Sequence, residues 1–430
     1  MKNLKTKMNE NFFSNLFDEL FPICRSILGK GYTDSLDILN KYIGMKYLKF
    51  PSGKKIFDWV VPDEWEIKDA YILTPDKKKI CNFKINNLHV MNYSKSINKK
   101  LELNELKKIL YSLKKTPKAI PYTFSYYEKR AGFNVSFNEQ KKLKKGRYHA
   151  VINSKFKKGN LIVGTKNLKG ASKKKFLITS YLCHPSMANN ELSGPLVLLG
   201  LYNKINNWKK RNLNYEFLLN PETIGSLCYL NKHKKEIKKN LSGGLVLTCL
   251  GGPKKKLSFK KAKNENCGIN KFFEYFKKKN KFEIREYDPI KGSDERQYCS
   301  SGFDLPVGQV SRTIYREYKE YHTSLDDKKF MTISKIVKSI DELDFFLKIY
   351  DQLSGKLIIK NKYGEVFLSK HNLYINKNSN KLTKSILYIL SCSDEENALI
   401  DLVIKYNLDL YNVCAAVEIL EKKKIIKIIK

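Results

Sequence analysis

The sequence predicts an α/β core with a β-rich insertion and a C-terminal winged-helix unit, on three observations. From about residue 170 to 352, apolar strands alternate with amphipathic helices, the pattern of a sheet covered by helices on both faces. Between 51 and 152 the texture changes to short strand-like runs separated by turn signals. After 352, three helical segments precede a last apolar strand. The expected organisation is a core from 1–50 and 153–352, an inserted β-rich domain from 51–152, and a winged-helix-like domain from 353–430.

In chain order, Asn11 to Ile27 carries apolar residues at helical spacing, and Gly29 and Gly31 are expected to end that helix. KIFDWVVPDEW, DAYILTPDKK, KICNFKINN and LHVMNYS read as short strands, with TPDKK a turn that has Pro at its second position. Residues 146–153 and 160–164, joined by NSKFKKG, read as a β-hairpin. In the core, KKFLITSYLC, NYEFLLN, GGLVLTCL, EIREYD and FDLPVGQV are strands. PLVLLGLYNKINNW, PETIGSLCYLNKHKKEI and NKFFEYFKKKN supply the helices between them, and TISKIVKSIDELDFFLKIYDQL closes the core as a long helix. In the last unit KLTKSILYIL is a helix, and Ser393-Asp394-Glu395-Glu396 reads as a capping box that opens EENALIDLVIKY. DLYNVCAAVEILEKK is the third helix and IIKII the strand.

Composition narrows the function classes. The net charge of +39 suggests nucleic acid, but only eight of the 82 basic residues are Arg, and the lysines are spread along the whole chain. Base and phosphate readers favour the planar fork of Arg. The third helix of the last unit, where a regulator would read DNA, has no Lys or Arg between Leu410 and Glu421. Protein contact or packing is therefore its expected role, since phosphate contacts need cations. The nine Cys form no CxxC pair and are expected to be reduced, mostly buried thiols. No apolar run approaches the ~18 residues of a membrane span, and the start of the chain lacks a signal core, so a cytoplasmic location is expected.

In an open α/β sheet, ligands bind outside the carboxyl ends of the strands. His184 follows the first core strand, and Asn190 and Glu191 lie before its helix. Glu222 follows NYEFLLN, Cys249 ends GGLVLTCL, Asp294 and Glu295 sit in GSDERQYC, and His322 lies in EYHTSLD. Two His with several carboxylates form a zinc-type donor set, and a spare Glu is suited to activating water. Each also has a simpler reading. Glu222 would cap its helix behind Pro221, Asp294-Glu295-Arg296 would be an ion-pair cluster, and Cys249 would be buried packing.

The segments LFPICRS (20–26), FDWVVPDEW (57–65), NLHVMNYS (87–94), PYTFSYY (121–127), CHPSMANNELSGP, PETIGS, GSDERQYCSSGFDLPVG and YHTSLD resemble a bacterial aminopeptidase-like family. The resemblance covers nearly the whole chain. It implies a zinc-exopeptidase-like mixed sheet flanked by helices, an inserted β domain and a C-terminal winged helix. The wider resemblance is to co-catalytic zinc aminopeptidases. Their first metal-binding His matches His184, and their last matches His322. The Asp that bridges two metals falls on Asn190, with Glu191 next to it. A Glu-Glu pair, base then ligand, reads Glu222-Thr223 here, and a further Asp ligand falls on Cys249 or nearby.

A neutral amide is a poor bridge between two cations. The resemblance therefore implies one zinc, held by His184, His322 and a carboxylate, with Glu191 as first choice and Asp294 as fallback, and Glu222 as general base. Arg312, Tyr315 and Arg316 are candidates for holding an anionic substrate group, and Glu295 and Arg296 are further candidate substrate contacts. The implied activity is a zinc-dependent, aminopeptidase-like hydrolysis of an amide in a small peptide-like or amino-sugar substrate. The alternative is a catalytically altered small-molecule or sugar-binding protein of the same fold, linked to surface-polysaccharide biosynthesis. No specific nucleic-acid or membrane partner is expected, and a homo-oligomer is left open.

Overall fold

The computed structural model describes residues 8–361, 363–373, 380–393, 396 and 398–429. Two helices, α1 (Glu10–Leu20) and α2 (Lys30–Ile43), precede an eight-stranded sheet. Its strands are β1 (Lys46–Pro51), β2 (Asn160–Leu168), β3 (Lys175–Tyr181), β4 (Asn214–Asn220), β5 (Leu241–Leu247), β6 (Ser258–Lys260), β7 (Glu283–Arg285) and β8 (Val307–Ser311). The order is β1-β2-β4-β3-β5-β8-β6-β7. The four central strands, β4, β3, β5 and β8, run parallel. β2 and β6 are antiparallel to their central neighbours, so the sheet is mixed. The intervening helices are α3 (Ser193–Asn206), α4 (Ile224–Asn240) and α5 (Gly268–Lys278), and α6 (Ile333–Leu353) closes the core.

The central strands are buried on both faces, and alternate residues serve different cores. Phe176, Ile178, Phe217, Leu219, Leu245 and Leu247 pack with α1, α2, α3, α5 and α6. Leu177, Leu218, Val246 and Val307 turn the other way, towards α4 and the insertion. The chain steps from β3 to β4 on one side of β3 and to β5 on the other. Loops leaving these three strands at their carboxyl ends therefore flank one crevice.

The first helix is shorter than its spacing suggests. Asn9 caps α1 by accepting from the Phe12 N–H at 3.0 Å, and Phe13, Leu16, Phe17 and Leu20 form its buried stripe. The helix ends at Leu20 with Phe21 as its still-helical cap, and Pro22, which has no N–H to give, cannot extend the ladder. Gly29 and Gly31 belong to the start of α2 instead. A Cβ on Gly31 would lie 2.0 Å from the Cys24 carbonyl oxygen, so only glycine lets α2 lie against that segment.

The insertion forms its own four-stranded sheet, in the order 79–80, 64–73, 147–157, 97–102. The hairpin expected from 146–153 and 160–164 is not formed. Both segments are strands, but Arg147–Lys157 pairs within the small sheet while β2 pairs with β1 and β4. The strand also runs through the expected 152/153 boundary. A turn signal reports a change of direction and not which partner the next strand finds.

Beyond α6, the strand Lys356–Ile359 pairs with Ile426–Ile429, and helices Asn380–Cys392, Leu399–Lys405 and Leu410–Lys422 lie between them in sequence. The expected capping box Ser393–Glu396 lies partly outside the described residues. Leu399–Lys405 instead has the Ala398 N–H bonded to Asp401 at 3.1 Å. The third helix buries Leu410, Val413, Ala416, Val417 and Leu420 in the main core. Its Glu418 and Glu421 accept from Gln352 and Lys210, so this face is spent on packing.

The start of α3 shows how tightly the crevice is built. A Cβ on Gly194 would lie 2.2 Å from Ser180 Oγ and 2.5 Å from the Leu247 carbonyl oxygen. Gly194→Ala therefore has to push α3 away from β3 and β5, and a loss of about 1–3 kcal/mol is expected from urea unfolding midpoints.

Candidate active site

The candidate residues sit on loops at the carboxyl ends of the parallel strands. After β3 the chain runs through Cys183 and His184 into a single π-helical turn, Ala188–Leu192, that flows into α3. Such turns are rare, and many occur at functional sites. This one swings Glu191 back towards β3. One Glu191 oxygen accepts from the Cys183 N–H, and the other meets His184 Nδ1 at 2.5 Å. Both residues are buried. The pairing fixes the ring and leaves His184 Nε2 facing Glu222, 3.6 Å from its carboxylate. Burial opposes a charge on His184, but the acidic neighbours Cys183, Tyr122 and Glu191 outweigh it and hold its pKa above the usual value. Below the dyad, the fully buried Arg25 donates to the His184 carbonyl at 3.0 Å and to the Leu20 carbonyl at 2.6 Å. Burial lowers the Arg25 pKa and the Glu191 charge works against that.

Glu222 stands on a strained turn. Thr223 has φ 65° and ψ −71°, and the Ile224 N–H bonds to the Glu222 carbonyl at 2.8 Å. This is a γ-turn of the rare kind, a conformation that costs about 1–3 kcal/mol and collects at functional sites. Asp294 holds it. One Asp294 oxygen accepts from the Thr223 N–H at 2.6 Å, and the other from Asn220 Nδ2 at 2.9 Å. Burial, and then the Glu222 charge, push the Asp294 carboxyl up to about 7. Ser293 Oγ donates to Glu222 at 2.6 Å.

His322 also has a left-handed backbone, φ 54°. It is held from the insertion, because its carbonyl accepts from the Tyr122 N–H at 2.8 Å while Ile120 and Ser324 exchange two hydrogen bonds. The Tyr122 ring sits 5.1 Å from the His184 ring and 5.2 Å from the His322 ring, and the two imidazoles are 5.4 Å apart. Tyr321 stacks on His322 at 4.0 Å. Burial, and then the charge on His184, hold His322 well below the usual imidazole range. Four residues on, Asp326 accepts from the Asn189 and Asn190 N–H groups at 2.6 and 2.9 Å and so ties the His322 loop to the π turn.

These residues open on a cavity of about 450 Å³, within the ~300–1,000 Å³ of small-molecule sites. His184, Asn190, Glu222, Arg296, Tyr315, Arg316 and His322 line it. Other expected residues are not brought there. Glu191 bonds to His184 and Cys183, within the group of these three that could hold a metal, and Asp294 bonds to Asn220 and Thr223. Glu295 is buried in an ion pair with Lys260 at 2.5 Å. Arg312 is buried as a strut, donating to Ser339, the Lys255 carbonyl and Glu342. The Tyr315 hydroxyl is spent on the Lys291 carbonyl. Cys249 is packing, as its simpler reading had it, and burial pushes its thiol up to about 12. Sequence reasoning missed Arg25, Tyr122, Ser293 and Asp326 as supports. It also missed the wall of Trp59, Phe124, Tyr126 and Tyr127 that the insertion contributes. The aromatic density of PYTFSYY was the available signal.

The residues gathered here are of the types that hold zinc. His184 and His322 line the same cavity, with His184 Nε2 on the side of Glu222, while Cys183, His184 and Glu191 gather within 4.8 Å of one another on the Nδ1 side. Asn190 Nδ2 contacts the Tyr181 hydroxyl at 3.2 Å, while its Oδ1 is buried with no partner among the described residues. That orphan oxygen is a neutral donor. It can join a metal's ligand set but adds no negative charge to it.

The mixed sheet with helices on both faces is the fold that zinc aminopeptidases also have. The chain belongs to the family described as Domain of unknown function (DUF4910), whose model matches residues 14–353. It is 35% identical over 422 residues, 96% of each chain, to a Clostridium acetobutylicum protein provisionally named for polysaccharide biosynthesis with an aminopeptidase-like domain. A crystal structure from the same organism, provisionally described as a peptidase, superposes with a TM-score of 0.87 at 33% identity, covering 98% of this chain and 96% of that one. BSAP, a zinc aminopeptidase from Bacillus subtilis, shares the fold at 12% identity, with a TM-score of 0.57 over 79% of this chain and 93% of that one.

The Lys260–Glu295 pair has almost no exposure. Lys260→Met strands a buried carboxylate and is expected to cost about 3–5 kcal/mol in urea unfolding, most of it recovered in Lys260→Met/Glu295→Leu.

Proposed function

We propose that the protein is a single-zinc, aminopeptidase-like hydrolase that cleaves an amide in a small peptide-like or amino-sugar substrate. One observation carries this reading: His184, with Nδ1 fixed by Glu191, presents Nε2 to a cavity shared with His322 and Glu222. A ligating imidazole usually gives its other nitrogen to a carboxylate in this way. His184 and His322 would hold the zinc, with Asn190 Oδ1 beside them, and zinc when bound supplies a Lewis acid for the scissile carbonyl. Glu222 is the base. It is part-exposed, and Ser293 Oγ orients one of its oxygens while leaving the other towards His184. The aromatic wall gives the cleft an apolar side.

The name of the Clostridium relative favours an amino-sugar amide as a substrate to test beside aminoacyl amides. The nine cysteines are free thiols, which supports the cytoplasmic location read from the sequence. Among the described residues, no helix is long and apolar enough to cross a membrane. The second reading, a non-hydrolytic binding protein, is favoured by Asn190, Thr223 and Cys249 standing where carboxylate ligands would be.

Purified protein should carry about one zinc by elemental analysis, and His322→Ala should lose it. Glu191→Gln should weaken zinc binding about 10–100-fold in a chelator competition. Glu222→Gln should keep the zinc and lower kcat about 10²–10⁴-fold on the cleaved amide. A well-folded protein that takes up no zinc would sink the hydrolase reading, and zinc binding without turnover of either amide class would leave the second reading.

A further inference from the structure

The cavity contains more positive charge than its own acids balance. Three arginines line it, Arg130, Arg296 and Arg316, beside two carboxylates, Glu128 and Glu222. Arg130 is paired with Glu128 at 2.7 Å, and Glu222 is occupied by Ser293 and His184. Among the described residues, neither Arg296 nor Arg316 forms an ion pair. Their hydrogen bonds are long ones to carbonyls of one short segment. Arg296 reaches Ser293 and Pro289 at 3.4 Å, and Arg316 reaches Ile290 at 3.3 Å. That shared segment brings the two guanidinium groups to the same side of the cavity.

Two details show that the pair is built. A Cβ on Gly292 would lie 2.2 Å from Arg296 Cδ, so the missing side chain is what lets Arg296 lie across this loop at the cavity. Arg316 has φ 64°, a strained backbone for a residue with a side chain. Guanidinium groups grip carboxylates and phosphates through paired N–H bonds. The same cavity offers Trp59, Phe124, Tyr126 and Tyr127 as an apolar wall.

We propose that Arg296 and Arg316 form an anion subsite, which takes the carboxylate or phosphate end of a ligand whose remaining body packs on the aromatic wall. As a statement of substrate class, an amide with an anionic end, this rests on the hydrolase reading. The subsite itself does not.

The test uses the full chain treated with EDTA, so that neither metal nor turnover contributes. Calorimetric titrations at fixed low salt compare N-acetylglutamate, inorganic phosphate and the uncharged N-acetylglutamine amide. At least one anion should bind about tenfold or more tightly than the neutral amide, and the tighter anion identifies the chemistry of the natural end group. Arg296→Ala and Arg316→Ala should each weaken that anion about tenfold or more, while Arg296→Lys and Arg316→Lys, which keep the charge without the fork, lose less. A surface control, Lys234→Ala/Lys235→Ala, should stay within about twofold.

The subsite is overturned if the anions bind no better than the neutral amide. It is also overturned if the folded arginine variants bind like the wild type, or if the surface control loses as much. Anion binding without hydrolysis would remove only the hydrolase reading, and hydrolysis without anion preference only the subsite.

Discussion

The site depends on one buried carboxylate. Glu191 is removed from water, which is costly for a charge unless every oxygen finds a donor. Here Cys183 gives an N–H, His184 gives Nδ1, and the buried Arg25 lies close enough for its charge to be felt. The arrangement works only because the π turn points Glu191 backwards, and that turn is held by Asp326 from the His322 loop. A single constraint thus links the imidazole, the turn and the second histidine.

Three positions near the histidines share a property. Asn190, Thr223 and Cys249 are neutral, and Asp294 is pushed up to about 7, so the pocket has exchanged charge for hydrogen bonding. Thr223 does so through its backbone, as the centre of the turn that carries Glu222. These residues belong to a polar network of low negative charge, and the unpaired Arg296 and Arg316 line the same cavity.

Much of the fold was legible because strand and helix periods differ and the polar residues punctuate strand ends. His184, Glu222 and His322 were found in this way, and they do line one cavity. What failed were statements about direction. The pairing of Glu191 with His184 Nδ1 and the Cys183 N–H was not foreseen, since nothing in Asn189-Asn190-Glu191 announces a π turn. Arg312 and Arg316 look equivalent in SRTIYREYKEYH, yet one is a buried strut and the other lines the cleft. The hairpin at 146–164 failed because local turn chemistry does not choose between two sheets. The supports missed, Tyr122 and Asp326, act through contacts between segments about 140 to 200 residues apart, which no local pattern records.

The bond between the Tyr122 N–H and the His322 carbonyl has a mechanical consequence. The insertion supplies the aromatic wall, so swinging it outwards is the obvious way to admit a bulky ligand. Any such swing pulls on the loop that carries His322, away from His184, which is anchored in the core sheet. Opening the gate and dismantling the histidine pair are then the same movement. The wall therefore stays where the histidine pair needs it, with Trp59, Phe124 and Tyr127 exposed along it.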